Sequence, residues 1–164
     1  MLTDLVLFRH AKAVRHHEAP TDRDRALTPR GRHDAERAAA QLAAAGFKPD
    51  AVLVSPAVRT RETWAAAAAL KGETAAEYPE PLYLAEARDI LREAEEAGAA
   101  RVLVIGHNPG LHDLACELAR AGRPEALARM HEHFPTSAIA WLHRPAGVGP
   151  FMLKAFFARP GAEE

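Results

Sequence analysis

Two stretches decide how this chain is read: Leu5-Val6-Leu7-Phe8-Arg9-His10 and Val102-Leu103-Val104-Ile105-Gly106-His107-Asn108-Pro109-Gly110. Each opens on four consecutive apolar residues, the length and branching of a strand buried on both faces of a parallel sheet. Each then turns polar at once. Side chains just past the carboxyl ends of such strands line the crevice where open α/β sheets bind ligands. Two histidines and an arginine at that place make a candidate phosphate site.

Working outward, the elements alternate. Thr28-Pro29 reads as N-cap and first helical residue, because proline lacks only a donor that would be orphaned there anyway. Ala35, Ala38, Ala39 and Leu42 follow at the spacing of one helical face, and Gly46 is a natural stop. Ala51-Val52-Leu53-Val54 is a further buried strand. Ser55-Pro56 after it reads as cap and first turn of a helix running through the alanine-rich segment to Lys71-Gly72. A shorter strand is expected around residues 75–78, and a helix carrying Ala87, Ile90, Leu91, Ala94 and Ala97, ended by Gly98. The Val102–Ile105 strand then leads into a helix with Leu111, Leu114, Ala115 and Leu118 on one side. A short helix over 124–130 and late strands at 138–142 and 152–156 close the series. The expectation is one α/β domain over residues 1–160, in three layers, with a central, mostly parallel sheet flanked by helices. Residues 161–164 are expected to be a frayed tail.

Composition narrows the partners. Of 164 residues, 48% are hydrophobic and 26% charged, which fits a globular domain able to bury a core. The net charge of −1 provides no global field for nucleic acid or an anionic membrane, so any anion must be held by a local cluster. Cys116 is alone and is expected to be a small buried apolar residue. That single cysteine suits a reducing compartment. No basic leader segment precedes the first strand, and no apolar run approaches the roughly 20 residues that span a bilayer. A cytoplasmic location is expected.

Three strand ends deliver chemistry: Arg9 and His10, Ser55 to Arg59, and His107. Arginine presents a planar fork of donors that grips a phosphoryl group at two points. A neutral imidazole is a competent nucleophile at neutral pH and can carry a phosphoryl group as a phosphoramidate. Arg59 is expected in the first turn of its helix, where free backbone N–H groups also favour an anion. Such groups stabilise charge on the equatorial oxygens of an in-line transfer, which supplies most of the catalysis in this chemistry. Each piece alone is a weak signal, since a Gly-His-Asn-Pro-Gly turn can simply cap a helix. Their appearance after three successive aliphatic strands is what gives them weight.

Four strings, Leu7-Phe8-Arg9-His10-Ala11, Leu27-Thr28-Pro29-Arg30-Gly31, Ser55-Pro56-Ala57-Val58-Arg59-Thr60-Arg61-Glu62-Thr63 and Val104-Ile105-Gly106-His107-Asn108, resemble those of the histidine phosphatase, or phosphoglycerate-mutase-like, superfamily. The resemblance extends to Thr136-Ser137-Ala138-Ile139 and looks most like the small SixA-type phosphohistidine phosphatases. It implies a phosphoglycerate-mutase-like fold, with His10 as the phosphorylated nucleophile and Arg9, Arg59 and His107 completing the phosphate pocket. It also implies Arg25 and Asn108 at the pocket edge. Two departures stand out. Ala11 replaces the glycine of the family's commonest Arg-His-Gly string. Only 47 residues separate Arg59 from His107, too few for the insertion that carries a glutamate general acid in larger members. Glu80 is the best positional candidate for that acid and Asp22 the second, with a solvated loop carboxylate as the plainer reading of both.

The short insertion points to substrate. An alkoxide leaving from a sugar phosphate needs a proton, help worth roughly 10²–10⁴-fold, whereas imidazole departs with little assistance. A site without a lid also admits a side chain displayed on another protein. A phosphorylated protein, such as a phosphohistidine-containing domain, is therefore the expected partner, with no nucleic acid, membrane, metal or organic cofactor involved. Two other readings stay open: a phosphatase of small esters such as sugar, nucleotide or terpenoid phosphates, and a non-catalytic phosphoprotein-binding module. His16-His17-Glu18 and His131-Glu132-His133 lack the i, i+4 spacing of a helical zinc pair and are read as solvated loops.

Overall fold

The computed structural model describes residues 1–160; the expected tail at 161–164 lies outside the described residues. Seven strands form one sheet: β1 (Asp4–Arg9), β2 (Ala51–Val54), β3 (Ala76–Glu77), β4 (Arg101–Gly106), β5 (Ala119–Gly122), β6 (Ile139–His143) and β7 (Phe151–Phe157). Their order across the sheet is β3-β2-β4-β1-β6-β7-β5. Four of the six pairings are parallel; β6 pairs antiparallel with both β1 and β7. The helices are α1 (Pro29–Ala44), α2 (Val58–Ala66), α3 (Ala87–Glu96), α4 (Gly110–Leu118) and α5 (Pro124–Glu132). The α/β expectation is met, with the sheet as the middle layer.

Alternation along β1 explains why its apolar run is unbroken. Leu5 and Leu7 pack with Val102, Val104, Ile90 of α3, Leu111 and Leu114 of α4, and Met130 of α5. Val6 and Phe8 point the other way, to Leu103, Ile105, Ala39 and Leu42 of α1, and Trp64 of α2. Successive side chains of a strand face opposite sides, so a strand covered on both must be apolar throughout.

Local chemistry sets the helix starts. The Thr28 hydroxyl accepts from the Gly31 amide at 3.0 Å, capping α1 as its sequence suggests. A Cβ on Gly31 would sit 2.1 Å from the Lys12 carbonyl oxygen, so α1 docks on the loop after β1 only because residue 31 has no side chain. Gly110 has the same task at the start of α4, where a Cβ would lie 2.0 Å from the Ala85 carbonyl oxygen.

Several boundaries differ from the sequence expectation. α2 begins at Val58 rather than Pro56, because the Thr60 hydroxyl draws in the Ser55 and Ala57 carbonyls at 2.6 and 2.8 Å. It ends at Ala66 instead of running to Lys71-Gly72; Ala67 and Leu70 turn inward through a 3₁₀ turn at Ala68–Leu70 to join the core beside α1. Strand β5, Ala-Arg-Ala-Gly, carries no aliphatic run and was not expected; its pairing with β7 defines it. Cys116 is half-buried rather than buried.

The contact at Gly110 gives a direct test of this packing. Gly110→Ala must push back the Ala85 carbonyl, and it is expected to lower stability by about 1–3 kcal/mol. The check is a lower denaturant midpoint at unchanged m value.

Candidate active site

Parallel pairing brings the three polar strand ends together. β1 and β4 run in register to Arg9 opposite Gly106, so His10 and His107 emerge side by side. The His10 amide continues the ladder to the Gly106 carbonyl at 3.1 Å, and the Ser55 amide does the same from β2 to Ile105 at 3.0 Å. The His10 and His107 ring centroids are 5.5 Å apart. Arg59, in the first turn of α2, reaches between them. Arg9, His10, Arg59, His107 and Ser55 are all buried.

His10 is held in one tautomer. Its Nδ1 lies 2.8 Å from the Ala11 carbonyl oxygen, which can only accept, so Nδ1 carries the proton and Nε2 keeps its lone pair. Its own carbonyl accepts from the Ser137 amide at 3.1 Å. Ser137 has a φ of 61°, a conformation seldom adopted by a residue with a side chain and one that tends to occur at functional sites. The Ala11 amide donates to Thr63 Oγ1, whose hydroxyl donates to the Arg59 carbonyl. One threonine thus ties the loop after His10 to the helix of Arg59.

His107 is fixed by the same logic. Arg59 Nη2 donates toward its Nδ1 at 3.3 Å, so the remaining proton lies on Nε2, which donates to Ser55 Oγ at 2.7 Å. The Tyr83 ring packs edge-on against it. Both histidines are uncharged in the free site. Burial, then the positive charges of Arg9 and Arg59, hold His10 well below 6.5 despite the Ala11 hydrogen bond. Burial and then Arg59 push His107 down to about 3.

The arginines are braced by carbonyls and by one carboxylate. Arg9 Nη1 and Asn108 Nδ2 both donate to the Phe134 carbonyl, at 3.1 and 2.8 Å. Arg59 Nη1 donates to the Asp22 carbonyl at 2.7 Å and Nη2 to Asp22 Oδ2 at 3.0 Å. Arg59 Nε is buried with no hydrogen-bond partner among the described residues. A buried, unsatisfied guanidinium N–H beside two neutral imidazoles is a donor prepared for an anionic oxygen. Arg25 stands behind, with Nε on the Val14 carbonyl and Nη1 on Asp22 Oδ1 at 3.1 Å.

The two carboxylates singled out as acids behave otherwise. Glu80 is exposed and clamped at both oxygens by Arg23, at 2.8 and 2.9 Å, which lowers its pKa. Asp22 accepts from Tyr83, Arg25 and Arg59; burial pushes its pKa up, but these partners outweigh it and leave the carboxyl far below the usual range. Each is ionised at neutral pH, and neither carries the proton that a general acid must give.

Comparison with known proteins agrees with this geometry. A sequence model of the histidine phosphatase superfamily (branch 1) matches residues 5–82. An uncharacterised protein of Mycobacterium tuberculosis is 40% identical over 143 residues, covering 85% of this chain and 87% of that one. Among solved structures, a protein designated phosphohistidine phosphatase SixA from Agrobacterium tumefaciens superposes with a TM-score of 0.82 at 29% identity, over 97% of this chain and 100% of that one. The protein histidine phosphatase SixA complexed with tungstate superposes at 0.76 and 26% identity, over 94% and 96%. The chain belongs to the histidine phosphatase superfamily. It lies in the SixA-type branch and has the phosphoglycerate-mutase-like fold. No helix of the described residues is long and apolar enough to cross a membrane.

Two partners in this phosphatase's site were not singled out from sequence. Tyr83 stands in a Pro-rich turn with no pattern around it, and its place over His107 follows from Ala85 packing on Gly110. Thr63 lies inside α2, where nothing in the local pattern marks its bonds to the Ala11 amide and the Arg59 carbonyl. His16 and His17 lie on the exposed surface, as do His131 and His133.

Neutral buried histidines make stability depend on pH. The folded chain binds fewer protons than the unfolded one wherever His10 and His107 stay neutral while free histidine charges. The contribution of His107 is therefore complete above about 6.5 and is lost as pH falls from there toward about 3; that of His10 is lost in the same direction. The imidazole NMR signals of His10 and His107 are expected not to titrate between pH 5 and 8. Titration of either near 6.5 would contradict the packing described.

Proposed function

We propose that this phosphatase hydrolyses the phosphoramidate bond of phosphohistidine displayed on another protein, by two displacements through His10. The observation that carries the reading is the pairing of a lone-pair-bearing, uncharged His10 Nε2 with the unsatisfied Arg59 Nε–H in one buried cationic site. In the first displacement His10 Nε2 attacks phosphorus and the bond to the substrate nitrogen breaks, its electron pair leaving with that nitrogen. In the second, water attacks phosphorus, the pair of the P–Nε2 bond returns to His10, and inorganic phosphate leaves.

Arg9 and Arg59 hold the equatorial oxygens and supply the positive charge that a metal supplies in other phosphoryl-transfer sites, so no cofactor is required. A phosphoryl dianion next to His107 favours its charged form. A proton taken up from solvent makes both ring nitrogens of His107 donors, so that one can serve the phosphoryl group. Arg25 and Asn108 complete the edge, Asn108 by fixing the carbonyl that Arg9 also uses.

The leaving group decides the substrate. Neither Glu80 nor Asp22 holds a proton to give, so an alkoxide would have to leave unaided, whereas an imidazole does not need that help. The short turns Asp22–Asp24 and Glu80–Leu82 border the site where a larger insertion would stand, which favours a side chain on a folded partner as substrate. The likeness to two SixA proteins supports the same class.

The test is to mix the protein with a phosphohistidine-bearing domain and, separately, with small phosphate esters, quench rapidly and weigh the intact chain. A phosphoryl adduct and phosphate release from the protein donor are expected, both abolished by His10→Ala. Adduct formation from small esters alone would make it a metabolite phosphatase; no adduct from any donor would make it a binding module. Arg59→Lys is expected to cost about 10²-fold or more in kcat, because one ammonium cannot replace a fork that also grips Asp22.

A further inference from the structure

The Asp22 carboxylate is the acidic group in contact with the phosphate arginine, yet it is in the wrong state to be an acid. Oδ2 is saturated by the Tyr83 hydroxyl and by Arg59 Nη2. Oδ1 accepts from Arg25 at 3.1 Å and otherwise faces outward, toward an imidazole of the chain's own: His16 Nδ1 stands 3.6 Å away, on a side chain 77% exposed and so free to yield its place. Arg59 Nη2 touches Asp22 Oδ2 and His107 Nδ1 at once, so the carboxylate lies one guanidinium away from the phosphoryl pocket. A substrate ring with its phosphorylated nitrogen at His10 and Arg59 would carry its second nitrogen on the side away from phosphorus, where Asp22 Oδ1, held beside Arg59, can meet it.

We propose that Asp22 Oδ1 accepts a hydrogen bond from the second ring N–H of the substrate phosphohistidine and keeps the departing imidazole protonated until the P–N bond breaks. This rests on the phosphohistidine reading of the site. The balance is simple. The substrate ring enters as a phosphoimidazolium with its second N–H on Asp22, the P–N electron pair passes to the ring as His10 Nε2 attacks, and neutral imidazole leaves with its N–H intact. No proton crosses to or from Asp22. An ionised carboxylate, useless to an alkoxide, is what a phosphoimidazolium needs, because a negative charge beside a ring favours its cationic form.

The structure also explains how the carboxylate stays in place. Tyr83, Arg59 and Arg25 grip it from three sides, and the Arg23–Glu80 ion pair stands behind, with the Arg23 guanidinium 4.9 Å from the Tyr83 ring centroid. His16 is the remaining titratable group facing Oδ1, across the side from which substrate arrives.

The experiment compares Asp22→Asn with the unaltered protein on a phosphohistidine peptide and on para-nitrophenyl phosphate, whose phenolate leaves without a proton. The ratio of kcat/KM between the two substrates is expected to fall about 10²-fold in Asp22→Asn. The alkaline limb of the phosphohistidine pH–rate profile should move to lower pH, since the bound ring then loses its proton more readily. Asp22→Glu should restore part of the ratio, and does so only if the carboxylate, not the Arg59 brace alone, matters. An equal fall on both substrates with an unmoved limb would overturn the proposal and leave Asp22 as a brace for Arg59. Unaltered protein that cleaves the aryl phosphate but not the peptide would instead overturn the phosphohistidine reading itself, and this inference with it.

Discussion

The parallel, in-register pairing of β1 with β4 is the constraint on which the site depends. Because Arg9 lies opposite Gly106, the next residue on each strand is a histidine, and the two rings stand 5.5 Å apart with no loop required to bring them together. β2 joins the same edge through its pairing with β4, delivering Ser55 to His107 and α2 to Arg59. The apolar alternation that buries both faces of β1 therefore fixes the register, and the register fixes the chemistry. A one-residue slip would turn Leu5 and Leu7 into the space of Val6 and Phe8 and would separate the histidines together.

Electrostatics makes a second use of the same arrangement. Arg9 and Arg59, which on the proposed reading receive a phosphoryl group, also lower the pKa of His10 in the free site. The same positive charges thus keep the His10 lone pair available, as the proposed mechanism requires. Burial reinforces the effect, since a charged imidazole there would lose solvent beside two guanidinium groups. Asp22 offsets part of that charge from the pocket's edge and holds Arg59 in position, so the guanidinium need not be reorganised at the moment of transfer.

What the sequence reveals and what it hides follow from how local each feature is. Leu5–Phe8 and Val102–Ile105 are legible because a doubly covered strand must be apolar at every position, and the residues after them are legible because nothing else ends such a strand so abruptly. Thr28 is legible as a cap since its bond to Gly31 spans three residues. α2 is misread at both ends, because Thr60 and Leu70 obey contacts with Ser55 and the α1 side of the core rather than helix propensity. β5 is invisible, having only β7 to define it. Pairing across the chain is hidden altogether: Tyr83 meets Asp22 over 61 residues, and Arg23 meets Glu80 over 57.

Those two long-range pairs change the chemical meaning of the residues in them. Read alone, an aspartate and a glutamate near a phosphate pocket are candidate acids. Once Arg23 holds Glu80 at both oxygens and Tyr83, Arg25 and Arg59 surround Asp22, both are anions, and protonating either would break several charge-assisted hydrogen bonds at once. The site is thus built around a fixed negative charge beside its phosphate arginine. Although the arginines around it keep the site positive overall, that carboxylate oxygen is a local acceptor for a ring N–H. On the phosphohistidine reading proposed above, discrimination between substrates would reside in a loop carboxylate and not in a lid, in a chain that has only 47 residues between Arg59 and His107.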